Sequence, residues 1–115
     1  MIEEWKVVKA VTSTNTFPNA FIYDEKGRPR LTPGGGFAAL GGPAIKPIGL
    51  GRVKQLRSLL PSRIDIIGVG GITTGLDVLD YQRAGAAAVQ IATALLRRQL
   101  KVFGQLLGEL SELIL

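Results

Sequence analysis

The stretch Ile64-Asp65-Ile66-Ile67-Gly68-Val69-Gly70-Gly71-Ile72-Thr73-Thr74-Gly75 decides how this chain is read. Ile64 to Val69 is a short apolar run rich in Ile and Val, the pattern of a strand buried on both faces of a parallel sheet. Gly70-Gly71 ends it, Thr73 or Thr74 offers an N-cap, and a helix is expected from Gly75 to Ala84 with Gly85 as its stop. A strand that runs through a double glycine into a helix is one β/α unit. The two glycines also let main chain approach an anion with no Cβ in the way, and the N–H groups opening the helix would point at it. By itself the turn is equally a tight connection that binds nothing.

Downstream, Ala86 to Ile91 reads as a strand and Thr93 starts a last helix that is expected to run to the chain's end. There Leu96, Leu100, Phe103, Leu107, Leu110 and Ile114 alternate spacings of four and three. That stripe fits a helix laying its inner face on a sheet, or a short coiled-coil seam that Gly104 and Gly108 would weaken. Upstream, Leu50, Val53, Leu56 and Leu60 place a helix over about Pro47 to Leu60, stopped by Pro61. Trp5 to Thr12 reads as a buried strand, closed by the polar run to Thr16. Between these, Phe21-Ile22-Tyr23, the turn Asp24-Glu25-Lys26-Gly27 and Arg28 to Leu31 suggest a hairpin, followed by a Gly/Pro-rich loop over 32–43.

The order is strand, excursion, helix, strand, helix, strand, helix, which predicts about three parallel β/α units. With 115 residues the chain is well short of the roughly 250 of a closed (β/α)8 barrel. The expected fold is therefore α/β, a single partial barrel domain over residues 1–115 with both sheet edges open.

Composition narrows the chemistry. The chain has no cysteine and no histidine, which excludes disulfides, thiolate metal sites, a thiol nucleophile and an imidazole base. The net charge of +5 comes from dispersed lysines and arginines without interleaved aromatics, so a solvated basic surface is expected rather than a nucleic-acid interface. The N-terminus does not read as a signal peptide, and no apolar run reaches the roughly 18 residues of a membrane span. The expected compartment is the cytoplasm.

Three further segments fall at the same ends of their elements as Gly70-Gly71. Gln90-Ile91-Ala92-Thr93-Ala94 closes the next strand, where a small residue and a Thr at a helix start can give N–H groups and a hydroxyl to the same phosphate. Two such turns on consecutive strands converge at the C-terminal face of a barrel, which raises a phosphate site above the alternative of two ordinary caps. Thr14-Asn15-Thr16 follows the first strand; Asn15 offers donors and an acceptor suited to a planar polar ring, or simply an Asx turn. Leu40-Gly41-Gly42-Pro43-Ala44-Ile45-Lys46-Pro47 is a small-residue loop against which a flat ligand could lie, with Lys46 either part of it or a surface charge.

Taken in order, Thr14-Asn15-Thr16, Gly41-Gly42-x-x-Ile45-Lys46-Pro47, Ile67-Gly68-Val69-Gly70-Gly71-Ile72, Ala84-Gly85-Ala86 and Gln90-x-x-Thr93-Ala94 resemble the C-terminal part of the dihydroorotate dehydrogenase family, from about residue 7 onward. The excursion from Phe17 to Phe37 resembles the soluble, class 1 form more than the membrane-associated one. The resemblance implies an FMN-dependent (β/α)8 barrel that oxidises dihydroorotate, or a related pyrimidine, to orotate in pyrimidine biosynthesis. It implies that Gly70, Gly71, Ala92 and Thr93 hold the FMN phosphate, that Gly41, Gly42 and Thr14 lie by the flavin, and that Asn15 and Thr16 bond the substrate ring.

It also implies that the family's catalytic base (Cys or Ser) and a lysine at flavin and substrate belong to the N-terminal half, outside this stretch. No catalytic residue and no metal ligand is assigned here. Ala38-Ala39 and Ala92 stand where relatives have glycine. A homo-oligomer or a complementary barrel half is the expected partner, with no nucleic acid and no membrane. The other readings left open are an FMN- or phosphate-holding fragment without turnover, and an assembly subunit that pairs through its open strand edges and leucine-rich last helix.

Overall fold

In the computed structural model, which describes residues 6–114, a central strand carries the architecture. This strand, Asp65–Val69, lies between Ala10–Ser13 and Ala88–Gln90, and both pairings are parallel. In chain order the strands are β1 (Ala10–Ser13), β2 (Phe17–Ala20), β3 (Ala38–Leu40), β4 (Asp65–Val69) and β5 (Ala88–Gln90). The helices are α1 (Lys46–Leu59), α2 (Gly75–Ala84), α3 (Thr93–Arg98) and α4 (Lys101–Ile114). The α/β class and the parallel β/α order agree with the sequence reading.

The core forms where α1 and α2 cover the sheet. Val53 of α1, Ile66 of β4, Val78 and Tyr81 of α2, and Val102 and Leu106 of α4 are buried together. Tyr81 fills the space between β4 and α1. A Cβ added at Gly68 would overlap its ring, and one added at Gly49 would overlap its hydroxyl. These two glycines are therefore small because the tyrosine is large. Helix α2 starts at Thr74, whose side chain accepts from Asp77 N while Asp77 completes a capping box, and it stops at Gly85 at φ 119°. Arg57 closes α1 below the sheet by donating to the carbonyls of Leu60, Pro61 and Ile64.

Several elements differ from expectation. The first strand begins at Ala10 rather than near Trp5, which lies outside the described residues, and Val7 is 87% exposed. Its four residues alternate between exposed and half-buried, so β1 is not the buried strand that its valines suggested. The last strand is three residues long instead of six. The hairpin is present, with an isolated bridge between Tyr23 and Pro29 and the Asp24 carboxylate accepting from Lys26 N and Arg28 N. A second ladder pairs β2 with β3, drawn from a stretch of the excursion given no element and from the loop over 32–43. Pro18 and Asn19 hid β2, and Asn19 adopts φ 66° beside a register shift.

The terminal helix is two helices. Gln99 takes φ 57° and turns the chain, so that α4 packs across α2. Glu109 of α4 accepts from Gly75 N at 3.1 Å, and Arg98 donates to Thr73 O at 2.7 Å. The break resets the helical phase, and the buried line of α4 is Val102, Leu106 and Leu110. Of the expected stripe, Leu96 is 84% exposed and Leu100 77%. Phe103, Leu107 and Leu110 instead line an apolar groove of about 490 Å³ beside β5. The Cα radius of gyration, 16.7 Å, exceeds the roughly 13 Å of a closed domain of this length, consistent with an open sheet.

Candidate anion-binding site

Four chain turns meet at the C-terminal ends of the parallel strands. The turn after β1 is tied to β4 by Thr14 N donating to Val69 O at 3.0 Å. A Cβ built on Gly41 would lie 3.0 Å from Thr16 Cγ2, and one on Gly42 would lie 3.5 Å from Thr93 Cγ2. A Cβ on Gly71 would lie 2.9 Å from the Gly42 carbonyl oxygen and 2.8 Å from Lys46 Cβ. The turns are thus in van der Waals contact, and Gly71, at φ 71°, sits where no side chain fits.

They enclose a concavity of about 60 Å³, lined by Thr14 and Thr16, by Gly41 and Gly42, by Val69 to Thr73, and by Gln90 to Ala94. That volume accepts a compact group of a few heavy atoms. It is far below the roughly 300 Å³ or more of a pocket for a drug-sized molecule.

The donor inventory narrows the kind of group that would fit. Among the described residues, the backbone N–H groups of Gly71, Ile72, Thr93 and Ala94 donate to no protein acceptor, and the Thr93 hydroxyl has no protein partner. Main-chain donors left over around a small cavity match an anion with several acceptor oxygens. The start of α2 plays a different part from the one expected. Asp77 Oδ2 accepts from Thr73 N at 2.8 Å, Thr73 Oγ1 at 3.1 Å and Thr74 N at 3.0 Å. Gly75 N is taken by Glu109. The α2 N-terminus is therefore largely taken up by Asp77, Thr74 and Glu109, and the free donors come from the glycine turn before it and from the start of α3.

Two side chains of α2 hold the glycine turn from beneath, and sequence reasoning passed over both. The Tyr81 hydroxyl donates to Gly70 O at 2.6 Å from a wholly buried position. Burial raises the Tyr81 pKa, so the hydroxyl stays protonated and donating. Asp77, one helical turn earlier, is paired with the Lys46 ammonium. Burial pushes the Asp77 carboxyl up, but the Lys46 ammonium and the Thr73 and Thr74 N–H groups outweigh it and hold the pKa at about 2. The hydrogen bonds from Lys46 to Asp77 and then Asp80 raise the lysine in turn. Lys46 is an internal ion-pair member and not a surface charge. The spacing Asp77-x-x-x-Tyr81, on the face opposite the exposed Leu76 and Arg83, was the signal available in the sequence.

Of the residues singled out from sequence, Thr14, Thr16, Gly41, Gly42, Gly70, Gly71, Ala92 and Thr93 all line the concavity. Asn15 does not. It is exposed, and its Oδ1 accepts from Thr16 N at 2.8 Å, a bond to the next residue rather than the Asx turn of its alternative reading. No cluster of metal-ligating side chains occurs among the described residues, and no described helix is long and apolar enough to cross a membrane.

Sequence comparison adds the context. A profile of dihydroorotate dehydrogenase matches residues 2–114. A protein described as "probable dihydroorotate dehydrogenase A (fumarate)" in Enterococcus faecalis is 39% identical over 90% of this chain and 34% of its own length. Dihydroorotate dehydrogenase A (fumarate) of Lactococcus lactis subsp. cremoris is 37% identical over the same shares. The catalytic subunit of dihydroorotate dehydrogenase B (NAD(+)) of Methanopyrus kandleri is 41% identical over 92% of this chain and 32% of its own. The chain spans about a third of the length of the curated relatives it matches.

Proposed function

The chain belongs to the dihydroorotate dehydrogenase family, and from that membership we propose that it is the cofactor-phosphate part of an FMN-dependent oxidoreductase that converts dihydroorotate to orotate in pyrimidine biosynthesis. The observation that supports this most is the set of unpartnered N–H groups of Gly71, Ile72, Thr93 and Ala94 around one phosphate-sized concavity. In this reading Gly70, Gly71, Ala92 and Thr93 hold the phosphate through main chain and the Thr93 hydroxyl. Thr14, Gly41 and Gly42 border the flavin. Asn15 and Thr16 bond the substrate ring, which requires the Asn15 amide to turn out of its local bond with Thr16. Bound FMN supplies the hydride acceptor. The chain's own residues contribute orientation and a dry, donor-rich phosphate seat.

The fold that goes with this reading is a portion of a (β/α)8 barrel, about three β/α units in one domain over residues 1–115. Further strands, from a complementary barrel half or from another copy in an oligomer, would cover the open edges of β1 and β5. Proton abstraction falls to groups outside residues 6–114. The hydroxyls that line the concavity are those of Thr14, Thr16, Thr73 and Thr93, and the Thr73 hydroxyl is already held by the Asp77 carboxylate.

The test is flavin retention. Titrating the chain with FMN, alone and with the remaining two thirds of a family barrel, should give saturable quenching of flavin fluorescence that inorganic phosphate competes away. A colourless complex that releases no flavin on denaturation refutes the reading. A second reading, an FMN- or phosphate-holding fragment or assembly subunit without turnover, is favoured by the absence of any cysteine or histidine. Tight FMN binding with no dihydroorotate oxidation in any pairing would select it.

A further inference from the structure

Beneath the glycine turn lies an arrangement that an anion site ordinarily avoids. Asp77 and Asp80 stand on the first turns of α2, next to the segment whose N–H groups are left for an anion. Two carboxylates there would oppose a phosphate, because like charges in a partly buried setting repel by well over 1 kcal/mol. Each is matched. The Lys46 ammonium sits between them, paired with Asp77 Oδ1 and 2.8 Å from Asp80 Oδ2, and Arg83 Nη1 lies 3.6 Å from Asp80 Oδ1. The lysine side chain is only 22% exposed, and its Cβ is packed where a Gly71 side chain would otherwise stand. It therefore reaches Asp77 and Asp80 from the first residue of α1, just after the Gly41–Gly42 turn that lines the concavity.

We propose that Lys46 is a positioning residue for anion binding, acting through Asp77 and Asp80 by neutralising them so that an acidic helix start can serve an anion site. Asp77 is retained because its Oδ2 orders Thr73 and Thr74 and thereby fixes the turn that carries the free donors. Lys46 removes the electrostatic penalty of using a carboxylate for that task. This inference rests on the reading of the concavity as a phosphate seat.

The experiment titrates the full chain with inorganic phosphate and with FMN, following the amide resonances of Gly71, Ile72 and Thr93. Wild type, Lys46→Met, Lys46→Arg, Lys46→Met/Asp77→Asn and Asp80→Asn are compared. Lys46→Met should weaken phosphate binding roughly tenfold, the effect of one uncompensated charge worth about 1.4 kcal/mol. Lys46→Arg should recover part of the loss, and the double variant most of it, because asparagine at position 77 keeps an oxygen for Thr73 and Thr74 and Asp80 keeps Arg83 as its partner. A lysine that only braced the two turns would leave the double variant as weak as Lys46→Met, and that result overturns the proposal. Asp80→Asn, which leaves the capping box intact, should bind phosphate about threefold tighter; unchanged or weaker binding also overturns it. Wild type showing no response at these amides refutes the phosphate site itself, whereas a normal wild-type response with an unaffected Lys46→Met refutes only the role of Lys46.

Discussion

Replacing Gly68 by alanine tests whether Tyr81 is the element on which β4, α1 and the glycine turn depend. A Cβ at Gly68 would overlap Tyr81 Cδ1 and lie 3.0 Å from Cε1 and 3.1 Å from Cγ, short of ordinary carbon contacts near 3.5–4.0 Å. The ring has no accessible surface and its hydroxyl is fixed to Gly70 O, so it cannot step aside without breaking that bond. Overpacking of this kind typically costs about 1–3 kcal/mol, and the strained or lost hydrogen bond adds about 1 kcal/mol. The expected loss is about 2–4 kcal/mol, or roughly 8–16 °C in melting temperature at about 4 °C per kcal/mol.

The assay is thermal unfolding followed by circular dichroism, with Gly104→Ala as a control. Gly104 lies on α4 with open space around its Cα, so alanine there should stabilise by about 1 kcal/mol. In a Tyr81→Leu background the penalty of Gly68→Ala should shrink by at least about 1 kcal/mol, since the colliding ring is gone. A Gly68→Ala chain melting within about 2 °C of wild type, or penalties that simply add in the double variant, would refute the packing argument.

Four other outcomes follow from the structure. Tyr81→Phe, which deletes only the bond to Gly70 O, should destabilise by about 1–2 kcal/mol by denaturant titration and also weaken phosphate binding, because the turn loses its anchor. The folded pKa of Asp77, about 2, lies below the ordinary carboxylate value of 3.8, so its contribution is complete above about pH 4 and fades as pH falls toward 2. Acid titration of stability should show a loss on the order of 2 kcal/mol across that window, and Asp77→Asn should remove it. The raised pKa of Lys46 works at the other end, adding stability that is complete below pH 10.5 and fades as pH rises through its folded value. Gln99→Gly should leave the α3–α4 break in place and stabilise slightly, by up to about 1 kcal/mol in chemical denaturation, because a non-glycine residue at φ 57° is strained.

The elements legible in the sequence were those whose signals are local. Helix α2 was readable to the residue, because Thr74 and Gly85 mark its ends by chemistry that needs no tertiary context. The β4 core was equally plain in Ile64 to Val69. What escaped depends on contacts across the chain. The leucine pattern from Leu96 to Ile114 scans as one helix only if its phase is continuous, and the turn at Gln99 is set by α4 packing on α2, through Glu109 and Gly75. The β2–β3 ladder pairs a Pro-Asn segment with a short apolar one, and neither carries a strand pattern alone. At the site, the glycine turns and Thr93 were visible as motifs. The roles of Lys46, Asp77 and Tyr81 were not, because an ion pair and a buried hydroxyl are properties of three elements meeting.

The strand order has a bearing on how the molecule assembles. The β4–β5 ladder joins near neighbours, Ile67 with Ala88, across a single helix. The β1–β4 ladder joins Ala10 with Asp65 across the whole excursion and α1, a closure about 1 kcal/mol more costly on loop-length scaling alone. Loop closure thus favours pairing within residues 65–90 before β1 is recruited, and amide protection during refolding should appear at β4 and β5 first. Thr14, Thr16, Gly41 and Gly42 all belong to that second segment, so the proposed anion seat would be complete only once it has docked. A ligand that bridges the early turn at Gly71 and the late turn at Gly42 would act as a latch on the finished fold, slowing its unfolding more than it speeds its formation.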